Sequence, residues 1–492
     1  MNTDFFLIQL GFTALLACII GSNIHRYNRH EAQDLLDGKQ RYLPYFITST
    51  LPIYFLISFL FRLGTEGWQY SGKYMFSMYF GVFLHICIYY LILLLLLSYF
   101  RNKINARTCA VLWILPNYLY ITVDAFSNGL FPKPLVVLHL RNGIIQPLAF
   151  LWFIGFSSIL LWKLFSHYRF RRMLLKNSLP VTDSTTLDVW AKELQFAGAE
   201  KTLYKLVYSP LVKSPLSIGF IEETTHVILP DHQYNRDDLA LIFRHELIHI
   251  GRQDCLTKFF LLFYSAICWF NPLMWIAMRR SAEDLELSCD ETVLLRSDQQ
   301  TRTRYAELLL QTAGDERGFT TCLAASMDAM RYRLKSIVTP SKRATGSFLV
   351  AIVFFILTIT CGYISLSYHE TTGHDAIFHS EDMEQFSLVY PGMNGRLSRG
   401  EQVKLTCTDE VALFEYLSEL QVCQITGSYA LYEVDEEFTL DYLRPDGRPI
   451  YVDISKNYLR VTHPGQSWAQ RDVYYIPDGA DWEYLTSLFT SP

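Results

Sequence analysis

The chain is poor in charge: Asp, Glu, Lys and Arg make up 18% of its 492 residues, against 50% apolar. Its ten cysteines form no CxxC pair, which leaves a zinc ribbon without ligands. It carries no long basic run and no nucleic-acid motif, so no direct contact with nucleic acid is expected. Internal repeats and low-complexity segments are absent as well. The first apolar stretch lacks a basic n-region and a small-residue cleavage site, and reads as a retained anchor. Eight cysteines precede the last 126 residues, mostly in apolar stretches where they read as small buried hydrophobes. Cys407 and Cys423 lie in the tail, where an oxidising compartment would allow them to pair.

The apolar residues come in blocks, the pattern of a membrane protein. Six stretches approach the ~20 residues needed to span a bilayer: about Phe5–Ile24, Tyr45–Phe61, Met75–Phe100, Cys109–Val123, Ile144–Leu164 and Gly346–Ser367. Pro116 and Asn117 interrupt the fourth. Basic residues cluster in alternate connections (Arg26, Arg29, Lys39 and Arg41; Arg101, Lys103 and Arg107; Arg169, Arg171, Arg172 and Lys176), which sets the orientation. The N-terminus is then outside, about Ser166 to Ala344 inside, and the tail outside. From Ser367 onward, 21 acidic residues face 8 basic ones, a net of −13, while the rest of the chain carries +8. Four parts are expected: residues 1–165, a membrane domain of about five spans; 166–344, a cytoplasmic zinc peptidase domain; 345–367, the last transmembrane helix; and 368–492, an extracellular domain. In the tail, Phe438–Leu443 and Pro449–Ile454 flank Pro445-Asp446-Gly447-Arg448, a hairpin signal. Asp409–Leu420 and Asp481–Phe489 read as helices opened by an acidic residue, making the tail a small α+β unit.

The chemistry concentrates in Arg244-His245-Glu246-Leu247-Ile248-His249, an HExxH motif. Residues four apart share a helix face, so both imidazoles can reach one Zn2+, with Glu246 placed to act as general base on the water that the metal activates. A catalytic zinc takes three protein ligands and keeps one position open. Glu286, in Glu286-Leu287-Ser288-Cys289-Asp290, is the expected third ligand, with Glu283 and Asp284 as nearby competitors. Asp290, one turn on, is expected to orient a ligating imidazole from behind. Cys289 reads as packing, Arg252 and Asp254 as a capping or structural pair, and Tyr305 as the candidate for stabilising an oxyanion. The apolar stretch Phe259–Met278 separates the half-sites. A single crossing would set them ~30 Å apart, so it must be a re-entrant or buried hairpin, bent at Asn271-Pro272.

The multiple spans, Ser214-Pro215, Gly219, Ile228-Leu229-Pro230, HExxH, Asn271-Pro272 and Glu286 through Cys289-Asp290 together resemble the BlaR/MecR family of membrane metallopeptidases, densely from about Tyr208 to Leu295. The resemblance implies a multi-span α-helical membrane protein whose mostly helical, gluzincin-like zinc peptidase domain answers an external sensor. It also implies cleavage of the protein itself, within Arg296–Arg343, or of a BlaI-like repressor. The antibiotic receptors of that family carry a penicillin-binding sensor with a Ser-x-x-Lys motif. This tail has no such motif and is too short for that domain, so an unknown extracellular ligand replaces the β-lactam. A second copy of the chain, as a homodimer, is a further candidate partner. Three other readings share parts of the pattern: a housekeeping membrane protease of the Ste24 or HtpX kind, a site-2 protease, whose intramembrane aspartate motif is missing, and a receptor whose zinc site no longer cuts.

Overall fold

A computed structural model describes residues 3–34, 50–66, 68–120, 136–139, 144–312, 327–340, 343–360, 364–378, 387–388, 392–397, 402–425, 436–444, 446–466 and 471–490. Long helices dominate the first third: α1 Thr3–Asp34, α2 Thr50–Glu66, α3 Trp68–Phe100, the short α4 Ala106–Ile114, and α5 Ile145–Lys176. Among the described residues, Val82–Phe100 of α3 and Pro147–Lys176 of α5 are long and apolar enough to cross a membrane. The stretch expected as the fourth span is described only in part. That part is the helix Ala106–Ile114, a tight 3-10 turn at Leu115–Tyr118 that contains Pro116, and helical residues 119 and 120, with almost every residue buried. Residues 121–123 of that stretch lie outside the described residues, as do 45–49 of the second. A strand, β1 Val136–His139, precedes α5.

The central region begins with β2 Leu179–Pro180 and continues through α6 Ser184–Phe196, β3 Lys205–Tyr208, β4 Leu216–Ile218 and β5 His226–Leu229. The sheet order is β2-β3-β5-β4, which leaves β4 at an edge. Five helices follow: α7 Arg236–Gly251, α8 Asp254–Ile267, α9 Pro272–Val293, α10 Gln299–Thr312 and α11 Met327–Val338. Trp190, Val227, Leu229, Phe243, Ile248, Val293 and Tyr305 form one buried cluster that ties this sheet to α6, α7, α9 and α10.

The stretch Phe259–Met278 is divided between α8 and α9. Pro272 opens α9 and Asn271 caps it, accepting from the Leu273 amide at 2.9 Å. Lys258, early in α8, touches Glu286, far along α9, at 2.6 Å, so the second helix returns along the first. The tip is seated between the two long apolar helices. On α5, the Trp152 indole donates to Ile267 O at 2.7 Å, and Trp269 donates to Trp152 O at 3.2 Å. On α3, Cys87 Sγ lies 3.1 Å from Asn271 Nδ2. Gly155 leaves room for the Trp269 ring, because a Cβ there would lie 2.2 Å from it.

The last apolar helix, α12 Ser347–Thr360, packs along α1 and leads into a C-terminal α+β region. There β6 Ile364–Thr372, α13 Gly373–Ile377, β7 Ser387–Leu388, β8 Gly392–Leu397, β9 Gln402–Cys407, α14 Glu410–Glu419 and β10 Gln421–Ile425 come first. They are followed by β11 Glu436–Leu443, β12 Pro449–Ser455, β13 Tyr458–Thr462, β14 Asp472–Tyr475, α15 Trp482–Ser487 and β15 Phe489–Thr490. β11 and β12 pair antiparallel with Leu443 opposite Pro449; Pro445 in their turn lies outside the described residues. Asp409 and Asp481 cap α14 and α15, as their acidic openings suggested. The second helix stops at Ser487 rather than Phe489, because Phe489 and Thr490 join β9 as a strand. Cys407 and Cys423 are free thiols, with five strands between them in the order of the sheet. β1 adds to this sheet, parallel to β6.

Overpacking a filled contact costs ~1–3 kcal/mol. Gly155→Ala is therefore expected to lower the midpoint of thermal unfolding of the detergent-solubilised protein. An unchanged midpoint would mean that the hairpin tip is not seated on α5.

Candidate metal centre

Helix α7 starts cleanly. Asn235 accepts from the Asp238 amide at 2.9 Å, and Asp237 and Asp238 oppose the helix dipole in the first turn. Arg304 of α10 bridges both carboxylates at 2.7 Å. One turn apart on this helix, His245 and His249 bring their Nε2 atoms within 3.0 Å. Glu246, next to His245 on the same helix, is buried. From α9, Glu286 Oε2 approaches to 3.8 Å from His245 Nε2 and 3.7 Å from His249 Nε2. Bonds of ~2.1 Å in a tetrahedron set the donor atoms ~3.4 Å apart. Two imidazole nitrogens and one carboxylate oxygen at this spacing fit a single zinc-sized ion.

Each donor is held from behind. The His249 Nδ1 lies 2.7 Å from Asp254 Oδ2. Tyr305 Oη lies 2.8 Å from His245 Nδ1 and donates to Asp290 Oδ1 at 2.7 Å. Asp290 itself is 3.5 Å from the imidazole and is gripped by both sides of the Arg333 guanidinium at 2.7 and 2.8 Å. Lys258 holds the other Glu286 oxygen at 2.6 Å, and Arg333 lies 3.4 Å from Oε2. Burial alone would raise the Glu286 carboxyl, but Lys258, His249 and Arg333 hold it well below the usual carboxylate range. Burial and the neighbouring His249 lower His245 well below its ordinary value, favouring the neutral form that a metal ligand needs.

Several sequence expectations change here. Asp254 does not pair off as a mere cap; it reaches back to His249. The helix stops at Gly251, and Gln253 takes a left-handed conformation, φ 58°, which turns Asp254 toward the imidazole. An acidic residue five positions after His249, just past a helix stop, was the available signal. Arg252 instead donates to Ser288 and Thr292 on α9. Tyr305 lies on the Nδ1 side of His245, away from the metal-facing nitrogens, so it positions the ring rather than an oxyanion. Glu283 and Asp284 are drawn off by Arg101 at 3.1 and 2.8 Å, leaving Glu286 at the imidazoles. Cys289 comes closer than packing required: its Sγ and one ring nitrogen of each histidine lie within 4.8 Å of one another. The thiol also points at His245 O, 3.5 Å away. Lys258 and Arg333, distant in sequence and set among unrelated residues, gave no signal.

Residues 132–337 match the family model described as BlaR1 peptidase M56. The regulatory protein BlaR1 of Bacillus licheniformis is 30% identical over 221 residues, 43% of this chain and 36% of the relative. The methicillin resistance mecR1 protein of Staphylococcus aureus is 22% identical over 262 residues, 46% of this chain and 44% of the relative. The matched segment thus spans less than half the length of either relative.

Loss of a group that orients a ligand typically weakens metal binding ~10–100-fold. Chelator competition on the purified protein is expected to show that loss for Asp254→Asn and for Lys258→Met, while Cys289→Ser binds as the wild type does. A Cys289→Ser loss matching that of Glu286→Gln would move the third ligand to the thiol.

Proposed function

We propose that the chain, BlaR/MecR-like by its match to the BlaR1 peptidase M56 model over residues 132–337 and by its relatives, is a membrane-embedded zinc peptidase that converts an external signal into cytoplasmic proteolysis. The observation that carries this reading is the triangle of His245 Nε2, His249 Nε2 and Glu286 Oε2, 3.0 to 3.8 Å on a side, with Glu246 buried within the same helix turn. A zinc ion held there would supply Lewis acidity to water and to the scissile carbonyl. Glu246 takes the proton that the attacking water gives up and passes it to the leaving amine. Asp254 and the Tyr305–Asp290 pair keep the two imidazoles aimed, and Lys258 keeps Glu286 presenting a single oxygen.

Substrate enters beside β4. A cavity of about 220 Å³ runs from Ser217, Ile218 and Gly219 to His249, Gln253 and Leu256. Because β4 is an edge strand, an extended peptide can add to the sheet there. A BlaI-like repressor, or this chain's own segment between Arg296 and Arg343, is the substrate in this reading.

Two pairings support the sidedness. β1, from the connection before α5, joins the C-terminal sheet, consistent with both lying outside. Asn105 and Lys103, from the connection after α3, bond Ala344, just before α12, consistent with both lying inside.

General-base loss lowers the rate ~10²–10⁴-fold. Glu246→Gln is expected to keep stoichiometric zinc and lose cleavage of a repressor substrate by that factor. Full activity in this variant would remove Glu246 from the mechanism.

A further inference from the structure

The wall of the cavity beside β4 is made in part by exposed apolar side chains. Phe220 and Ile221 follow the edge strand, line the cavity together with His249, and are 43% and 63% exposed. Their loop is tightly held. Gly219 turns the chain at φ 142°, where a Cβ would lie 2.6 Å from Thr225 Cα. A single 3-10 turn, Glu222–Thr224, follows, and the Thr225 hydroxyl donates to Ile221 O at 2.8 Å. The loop is also fixed to the long apolar helices. The Phe220 ring centroid lies 5.6 Å from that of His167 on α5 and 5.9 Å from that of Phe259 on α8. Arg171 of α5 donates to Thr224 O at 3.5 Å.

These contacts fix the level of the loop along α5. From Phe150 to Phe165 that helix exposes large apolar side chains, among them Phe153, Leu161 and Trp162. Further on, its exposed residues turn basic, with Arg169, Arg172 and Lys176. His167 and Arg171, which meet the loop, stand at this boundary, and Lys163 is near enough to snorkel to it. In a helix that crosses a bilayer, such a boundary marks the head-group layer of the cytoplasmic leaflet. An exposed apolar pair at that level, beside basic side chains, suits an anionic phospholipid surface. The exposed Glu222 and Glu223, the first of which accepts from the Leu203 amide at 3.0 Å, keep the loop in the head-group layer and out of the hydrocarbon. We infer that the Phe220–Ile221 loop docks on the anionic cytoplasmic leaflet, so that the cavity beside His249 opens at the lipid surface. A peptide that pairs with β4 then reaches the cleft along the bilayer, which favours segments tethered close to it. This rests on α5 crossing the membrane, as proposed above, and holds whether or not the centre cleaves peptides.

The test uses the full-length protein in nanodiscs of mixed phosphatidylcholine and phosphatidylglycerol. The photo-crosslinker benzoylphenylalanine replaces Ile221 in one variant, Phe150 in a second and Leu187 in a third, and mass spectrometry identifies the lipid adducts. Phe150, 68% exposed on α5, reports whether that helix meets lipid at all. Leu187, 41% exposed on α6, reports the end of α7 away from α8, because its neighbour Asp188 lies 3.9 Å from Arg236 there. Adducts at Ile221 and Phe150, and none at Leu187, are expected. A basic residue near an anionic leaflet contributes ~1 kcal/mol, about fivefold. Phosphatidylglycerol should therefore exceed its share of the bilayer about fivefold among the Ile221 adducts, and Arg169→Gln combined with Arg172→Gln should remove most of that enrichment. Adducts at Phe150 without any at Ile221, Ile221 adducts with no enrichment, or equal adducts at Leu187 overturn the inference. An absence of adducts at Phe150 as well overturns the crossing of α5 along with it.

Discussion

The centre depends on keeping one buried carboxylate ionised and aimed. Glu286 sits buried beside the two imidazoles, where an isolated charge would be strongly disfavoured. Lys258 from α8 and Arg333 from α11 supply the compensation, one on each oxygen. Both cations arrive only if the α8–α9 hairpin closes and α11 folds back over α9. The ligand geometry is therefore a consequence of tertiary closure, and the HExxH helix alone could not produce it.

The helix that carries Glu286 is also the one most tightly joined to its apolar surroundings. Asp284 binds Arg101 at the end of α3 and the Trp113 indole of α4. Ser281 donates to Ala110 O, and Glu291 meets Arg343, just ahead of α12. Beyond α12 begins the C-terminal sheet, to which β1 is added. A contiguous chain of contacts thus runs from that sheet to the proposed third ligand. Such contiguity is what the proposed transduction requires.

Part of this was legible in the sequence. The i, i+4 spacing of His245 and His249, the ExxxD run and the Asn271-Pro272 bend are local patterns, and local patterns survive translation into structure. The need for a hairpin followed from a distance constraint alone. What was hidden depends on closure in three dimensions. Asp254 was misread because the turn at Gln253 reverses its direction. Lys258 is a lone charge at the edge of an apolar run, and Arg333 and Arg101 lie far along the chain from their partners. The fold of the tail was visible in its hairpin and helix caps, while the addition of β1 from a distant connection was not.

The central claim is that the metal is held by two imidazoles and a carboxylate, with the nearby thiol left out. Cobalt substitution of the purified full-length protein tests it most directly, because thiolate ligation adds an intense sulfur-to-metal charge-transfer band in the near ultraviolet. The expected spectrum shows the visible bands of a tetrahedral or five-coordinate N/O site and no such charge-transfer band. A strong near-ultraviolet band that disappears in Cys289→Ser would contradict the account.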